Sequence, residues 1–274
     1  MFVEFPDPYS WELSTERFRA FGPDPANLWL EGRIYRVFDG REVEIVAASR
    51  GVEIEPGDPA LAEPVRRFLG GSFDLDGFAS FATADPVLAG MVETLRGLRP
   101  PLAPDPFEAL VGSITAQQVS LQAAFAIRAR LIRRFGVPHA NAWAFPTRER
   151  LAEAAPEELR ELGFSGRKAE YVVSLARAPL DLESLGALPD EEVKLALTAL
   201  PGLGEWTADW FLARHLARPD AWPAGDLAVR KAVGAFYFDG CDVSADQVRA
   251  FGERFSPFRN LTAHYLLVGH RVRR

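Results

Sequence analysis

The stretch that most constrains what this chain can fold into is Leu200-Pro201-Gly202-Leu203-Gly204-Glu205-Trp206-Thr207-Ala208-Asp209-Trp210. A helical pattern over 190–200 runs into Pro-Gly-x-Gly, and a second one over 205–217 starts at once. The spacing predicts a helix-hairpin-helix at about 190–217. Glycine adopts backbone angles that other residues resist, and here it bares the amides at the start of the second helix. Bare amides and the helix dipole together suit a phosphate. That makes Gly202, Leu203, Gly204 and Thr207 candidate phosphate-binding positions. A dinucleotide loop is excluded, because Thr207 stands where its third glycine belongs and a helix rather than a strand precedes it. A tight helix corner holding no ligand is the alternative that the spacing leaves open.

The rest of the chain divides in two. Over residues 1–88, the segments Leu28–Phe38, Glu42–Ala47 and Val52–Ile54 carry β-branched and aromatic residues in partial alternation. Asp39-Gly40 and Ser49-Arg50-Gly51 separate them as turns, so a small antiparallel sheet with one or two helices is expected. Over 89–274 the periodicity is helical. Asp105-Pro106 caps and opens one helix. In the next, Leu121, Ala124, Phe125, Ile127, Leu131, Ile132 and Phe135 form an apolar stripe, ended by Gly136 and Pro138. Further helices are expected over 147–162 (as two short pieces), 166–178, 190–200, 205–217, 227–237, 244–255 and 260–269. The fold class is α+β, mainly α.

A length of 274 residues with 48% hydrophobic content allows one large domain or two modest ones. The formal charge of −7 is unfavourable for a nucleic-acid partner, since neutralising phosphates supplies much of such affinity. Basic residues do cluster: four arginines and no acid over 128–134, the pairs Arg167-Lys168 and Arg230-Lys231, and the run from His270 to Arg274. Such runs are either a local basic face or ordinary solvated surface. With Cys241 as the one cysteine, no intramolecular disulfide and no all-cysteine metal or iron–sulfur site can form. No apolar stretch reaches the ~20 residues that span a bilayer. The N-terminus has acids and prolines where a signal peptide needs basic and then apolar residues. A cytosolic protein is expected.

Several separate motifs, in order, resemble the helix-hairpin-helix DNA glycosylase superfamily, and within it the bacterial DNA-3-methyladenine glycosylase II group. They are the Leu-Pro-Gly-Leu-Gly-x-Trp-Thr-Ala stretch with Asp226 in Trp222-Pro223-Ala224-Gly225-Asp226-Leu227, Pro8-Tyr9-Ser10-Trp11, Gln117-x-Val119-Ser120, Leu162-Gly163 with Arg167-Lys168-Ala169-Glu170, and Arg254-Phe255-x-Pro257-Phe258-Arg259. The resemblance covers nearly the whole chain. It implies a sheet domain similar to half of TATA-binding protein, then two helical lobes with the active-site cleft between them.

What the resemblance implies chemically can be set against the residues. Base removal needs the base out of the stack and passes through an oxocarbenium-like sugar. A nearby carboxylate stabilises that charge and can orient the attacking water. Asp226 matches the family's catalytic aspartate; by itself it also reads as the N-cap of a helix starting at Leu227. Trp206 and Trp210, four apart on one helix face, match base-pocket aromatics that would attract a cationic base; alone, they read as core. Phe18 is expected to complete the pocket, and Gln118 occupies the position of the residue that fills the hole left by the base, usually an apolar wedge. Leu267 stands where a tryptophan usually faces the pocket, which predicts a wider pocket less tuned to cationic rings.

Trp206 also replaces the lysine that forms a Schiff base in strand-cutting relatives, so base removal without lyase activity is expected. The resemblance further implies a monovalent cation, Na or K, on the main-chain carbonyls of Thr198, Leu200 and Leu203, with no other cofactor. The implied partner is double-stranded DNA with alkylated bases, the implied state a monomer, and the implied process base excision repair. Two other readings stay open: a non-catalytic helix-hairpin-helix DNA-binding protein, and a metabolic hydrolase or transferase with an incidental corner.

Overall fold

The structure is a computed structural model describing residues 1–272. Its first 70 residues build a five-stranded antiparallel sheet from β1 (Phe2–Glu4), β2 (Leu28–Leu30), β3 (Arg33–Phe38), β4 (Arg41–Ala48) and β5 (Gly51–Glu55), in the order β1-β5-β4-β3-β2. Alternation aims Ile34, Phe38, Val43, Ile45, Val52 and Ile54 at one face, where Phe18, Val65 and Phe68 cover them. The expected single strand over Leu28–Phe38 is instead a hairpin. Glu31 and Gly32 both have positive φ (+50° and +81°), the geometry of a two-residue type I′ turn, as do Asp39 and Gly40 (+47° and +72°). Only the second turn carries the Asp-Gly signature; Glu31-Gly32 gives the apolar run no comparable mark of a break. Strand β1 is a further addition. It pairs with β5 beside Gly51, where a Cβ would lie 2.1 Å from the Val3 carbonyl oxygen.

The remaining chain is helical apart from a two-stranded ribbon (Val137–Pro138 with Trp143–Ala144). Helices form over Pro106–Ala116, Leu121–Phe135, Arg148–Ala152, Pro156–Glu161, Gly166–Arg177, Asp190–Thr198, Glu205–Arg214, Leu227–Tyr237 and Ala245–Gly252, close to expectation. The final helix, Arg259–Val272, runs further than the expected 260–269. Arg273 and Arg274, part of the basic C-terminal run, lie outside the described residues. The expected boundary at 88 falls within the Pro86–Thr94 helix. Residues from Phe73 onward contribute to the second apolar core, whereas Leu69 still belongs to the first.

Several residues of the basic runs are structural, whereas Lys231, His270 and Arg271 line the cleft. Arg128 is half-buried, donating to Asp24 at 2.9 Å and to Glu108 at 2.6 Å, while Glu108 also pairs with the buried Arg36 of β3. This network, with Asn27 on Arg36, joins the sheet to the helices. Burial alone would push the Glu108 carboxyl up, but Arg36 and Arg128 bring it down to about 2. Arg130 donates to the Leu162 carbonyl, Arg134 pairs with Glu158, Lys168 reaches the Thr115 carbonyl and Arg230 the Val243 carbonyl. A clamp of three hydrogen bonds from Asn141 and Ala142 to Glu42 adds a second tie.

Candidate active site

The hairpin turn is held by close packing. Gly202 has φ +81° and its missing Cβ would meet the Tyr171 ring at 2.2 Å, so both conformation and space demand glycine. Gln117 donates to the Gly202 carbonyl at 2.9 Å, fixing the turn to the end of the Pro106–Ala116 helix. The Leu203 amide is engaged with the Leu200 carbonyl and the Thr207 amide with that of Gly204. Thr207 is also buried, its hydroxyl facing inward. Among the described residues, the amides of Gly202, Gly204, Glu205 and Trp206 donate to nothing. The bare donors thus include two of the four expected phosphate positions, Gly202 and Gly204, and extend into the helix.

Asp226 serves two purposes at once. Its Oδ1 accepts the amides of Ala228 (2.8 Å) and Val229 (3.1 Å), capping the Leu227–Tyr237 helix. Its Oδ2 accepts the indole N–H groups of Trp206 (2.8 Å) and Trp210 (3.0 Å). The tryptophans sit on one face of the Glu205–Arg214 helix, as the four-residue spacing predicts. Their hydrogen bonds to the carboxylate were not foreseen. Four donors fix both oxygens, so this carboxylate acts as a positioned charge.

A cleft of about 1340 Å³ between the sheet unit and the helices brings together Phe18, Gln118, Gly204, Trp206, Thr207, Trp210, Asp226 and Leu267. Leu203 is buried outside its lining. Gln118 is exposed at φ +54°, a left-handed conformation rare for a non-glycine residue. Phe18 is mostly committed to the sheet core, against Phe68 at 5.2 Å. Trp206 is half-buried. Trp210 departs from expectation: the Arg214 guanidinium lies over its ring, 3.7 Å from the centroid, and His264 meets it edge-on at 5.8 Å. That face of Trp210 is closed to a flipped base.

Arg17, Arg214 and Arg271 line the same cleft; the sequence marks only Arg271, within the basic C-terminal run. Arg214 follows Trp210 by four residues, so the spacing that paired the tryptophans would have placed it beside them. Burial, then Arg17 and Arg271, hold the Arg214 guanidinium well below the usual arginine range. Arg17 is pushed down to about 10 by burial and by Arg271 and Arg128. His264, deeply buried and close to Arg214, is held well below the ordinary histidine range by burial first, and so is neutral at pH 7.

For a cation at the hairpin, the donor chemistry fits. The carbonyls of Thr198 and Leu203 accept no hydrogen bond among the described residues, and that of Leu200 accepts one. Among those residues, no group of three or more His, Cys, Asp or Glu could hold a metal ion.

The geometry agrees with three kinds of likeness. Residues 111–257 match the model of the HhH-GPD superfamily base excision DNA repair protein. The DNA-3-methyladenine glycosylase of Bacillus subtilis (strain 168) is 31% identical over 179 residues, covering 61% of this chain and 59% of that protein. DNA-3-methyladenine glycosylase 2 of Escherichia coli (strain K12) is 32% identical over 169 residues, 60% of this chain and 57% of its own length. The matched stretch thus spans less than two thirds of either curated relative. The solved 3-methyladenine DNA-glycosylase of Archaeoglobus fulgidus superposes with a TM-score of 0.89, 31% identical, covering 99% of this chain and 98% of that one. An α+β architecture, a glycine-built hairpin and an aspartate fixed beside it agree with that match, and the chain belongs to the HhH-GPD superfamily of base excision DNA repair proteins.

Proposed function

We propose that this chain is a monofunctional DNA glycosylase that extrudes an alkylated purine from duplex DNA, hydrolyses its N-glycosidic bond and leaves an abasic site. The observation that carries this reading is the Asp226 carboxylate, held by four N–H groups at the wall of the cleft beside the hairpin. As the C1′–N bond lengthens, positive charge develops on the sugar, and a fixed carboxylate stabilises it without reorganising. The bare hairpin amides hold a phosphate in ground and transition state alike, positioning the strand. Gln118, at the cleft lip, fills the space the base vacates. The carbonyls of Thr198, Leu200 and Leu203 would hold a monovalent cation, supplying charge that stiffens the turn. All of these groups come from one chain, so a monomer suffices. No helix of the described residues is long and apolar enough to cross a membrane.

A non-catalytic DNA-binding module explains the amides but gives no use for a carboxylate fixed by two indoles inside a cleft. Incubation with methylated and etheno-bearing duplex, followed by identification of released bases, tests the proposal: purine lesions should appear free in solution. Release of no base would leave only a binding role.

Borohydride added during turnover should trap no protein–DNA adduct, and product strands should stay uncut until alkali is applied. Trp206 has no amine with which to form a Schiff base. Of the chain's three lysines, Lys168 is tied to the Thr115 carbonyl and Lys194 to Asp209, while Lys231 alone lines the cleft. Efficient trapping, abolished by Lys231→Ala, would overturn the monofunctional assignment.

A further inference from the structure

A second, smaller cavity of about 40 Å³ adjoins the cleft and shares Arg17, Arg214, Leu267 and Arg271 with it. Trp210 and Asp226 line the cleft but not this cavity. Three parts of the chain build its polar wall. Arg17 comes from the short Arg17–Ala20 helix of the sheet unit, Arg214 ends the Glu205–Arg214 helix, and His264 and Arg271 lie on the Arg259–Val272 helix.

The uncommitted groups on that wall are donors. Arg17 and Arg214 each make no hydrogen bond and no ion pair with any described residue; their printed contacts are with the rings of Phe125 and Trp210. His264 is only 7% exposed, and its Nε2 has no hydrogen-bond partner among the described residues. The other polar groups are spoken for. Arg271 is paired with Glu16 at 2.8 Å, and the Ser14 hydroxyl donates to the Gly97 carbonyl and accepts the Arg99 amide. Charge points the same way. Three guanidinium groups share the lining with one carboxylate, Glu16, which Arg271 already holds. Burial first, then Arg17 and Arg271, holds Arg214 well below the usual arginine range. Burial, then the same three guanidinium groups, keeps His264 neutral.

We propose that this cavity binds one small inorganic anion, of about halide size, between Arg17, Arg214 and His264. Donors left without acceptors are costly, and an anion accepts from all of them while cancelling part of their repulsion. A water also fits by volume, since one needs roughly 10–15 Å³. It must donate as well as accept, however, and guanidinium groups accept nothing. A DNA phosphate offers the same acceptor chemistry but would bring a sugar on either side into about 40 Å³. The site stands on these groups and does not depend on the glycosylase reading. Its effect reaches the cleft through one contact: Arg214 lies 3.7 Å from the Trp210 ring centroid, and the Trp210 indole donates to Asp226. Fixing the guanidinium fixes the indole and, through it, the carboxylate, which makes Arg214 a positioning residue.

Melting of the intact protein in sodium bromide is compared with melting in sodium gluconate at equal ionic strength, the gluconate ion being too large for the cavity. Bromide should raise Tm saturably, by about 3–6 °C once it exceeds its dissociation constant about tenfold. Arg214→Met, Arg17→Met and His264→Leu should each lose most of that gain. Crystals grown in bromide should show an anomalous-scattering peak at hydrogen-bonding distance from Arg17, Arg214 and His264 Nε2, and the peak should remain in the complex with an abasic-site duplex. The absence of a bromide-specific gain in Tm overturns the proposal, even with a peak in the cavity, which would then be an adventitious ion only. A peak that vanishes in the complex overturns it too, because the arginines would then serve DNA phosphates. Should the variants fail to fold, the melting and the bromide maps of the intact protein decide.

Discussion

Asp226→Asn will lower base release by about a hundredfold to a thousandfold while binding to an abasic-site duplex stays within a few-fold of the parent. The substitution keeps the helix cap, because asparagine caps as well as aspartate and its Oδ1 can still accept from Ala228 and Val229. On the other side it places an amide N–H₂ where Oδ2 accepts two indole N–H groups. Donor then faces donor, the indoles must turn, and the fixed negative charge at the cleft wall is gone. The hairpin amides that hold phosphate are untouched. Single-turnover release beside abasic-site binding and melting separates these effects. A variant that releases bases at close to the parent rate would reduce Asp226 to a cap. Trp206→Phe is the companion measurement: it removes one of four hydrogen bonds but keeps the charge, and its loss should be much smaller.

Glu108→Ala will cost about 3–5 kcal/mol of stability, because it leaves the buried Arg36 and the half-buried Arg128 without their shared carboxylate. For a chain of this size that is a fall in Tm of roughly 6–20 °C. The acid limb of the stability curve should change too. With its folded-state value down at about 2, below the ordinary 4.5, Glu108 stabilises the fold fully above pH ~4.5. That contribution disappears as pH falls from there toward 2. Melting across this window should decline less steeply in the variant than in the parent; identical slopes would show that the network carries no linked proton.

How much of this was legible in the residues depended on range. Asp105, Gly136 and the two short helices after Thr147 are set by local signals, namely a capping carboxylate, a helix-ending glycine and a mid-segment proline, and they fold where those signals stand. Glu31-Gly32 turns with the same geometry as Asp39-Gly40, yet glutamate is an uncommon residue for positive φ, so composition concealed it. The arginines over 128–134 were legible as charge but not as structure. Their partners, Glu108, Asp24, Glu158 and the Leu162 carbonyl, lie 20 or more positions away and were invisible to a local reading. In the site, Asp226 and the two tryptophans were found through the motif, but their mutual hydrogen bonds required three-dimensional placement. Arg214 lies one helical turn beyond Trp210, outside the motif that marks the two tryptophans.

The junction between sheet and helices has a mechanical consequence. Asp24, Asn27, Glu108 and Arg128 line the floor of the cleft and are also members of the buried ionic network that locks its walls together. A cleft braced across its own floor cannot close like a jaw on a duplex, so the bending must be done by the DNA. Smoothly bending 20–30 base pairs costs on the order of 1–6 kcal/mol, and less where pyrimidine–purine steps or mispairs soften the helix. On the glycosylase reading, the rigidity of the protein therefore becomes a filter on substrate compliance: the same damaged base is extruded fastest where its flanking steps are most easily kinked, at positions the protein never touches.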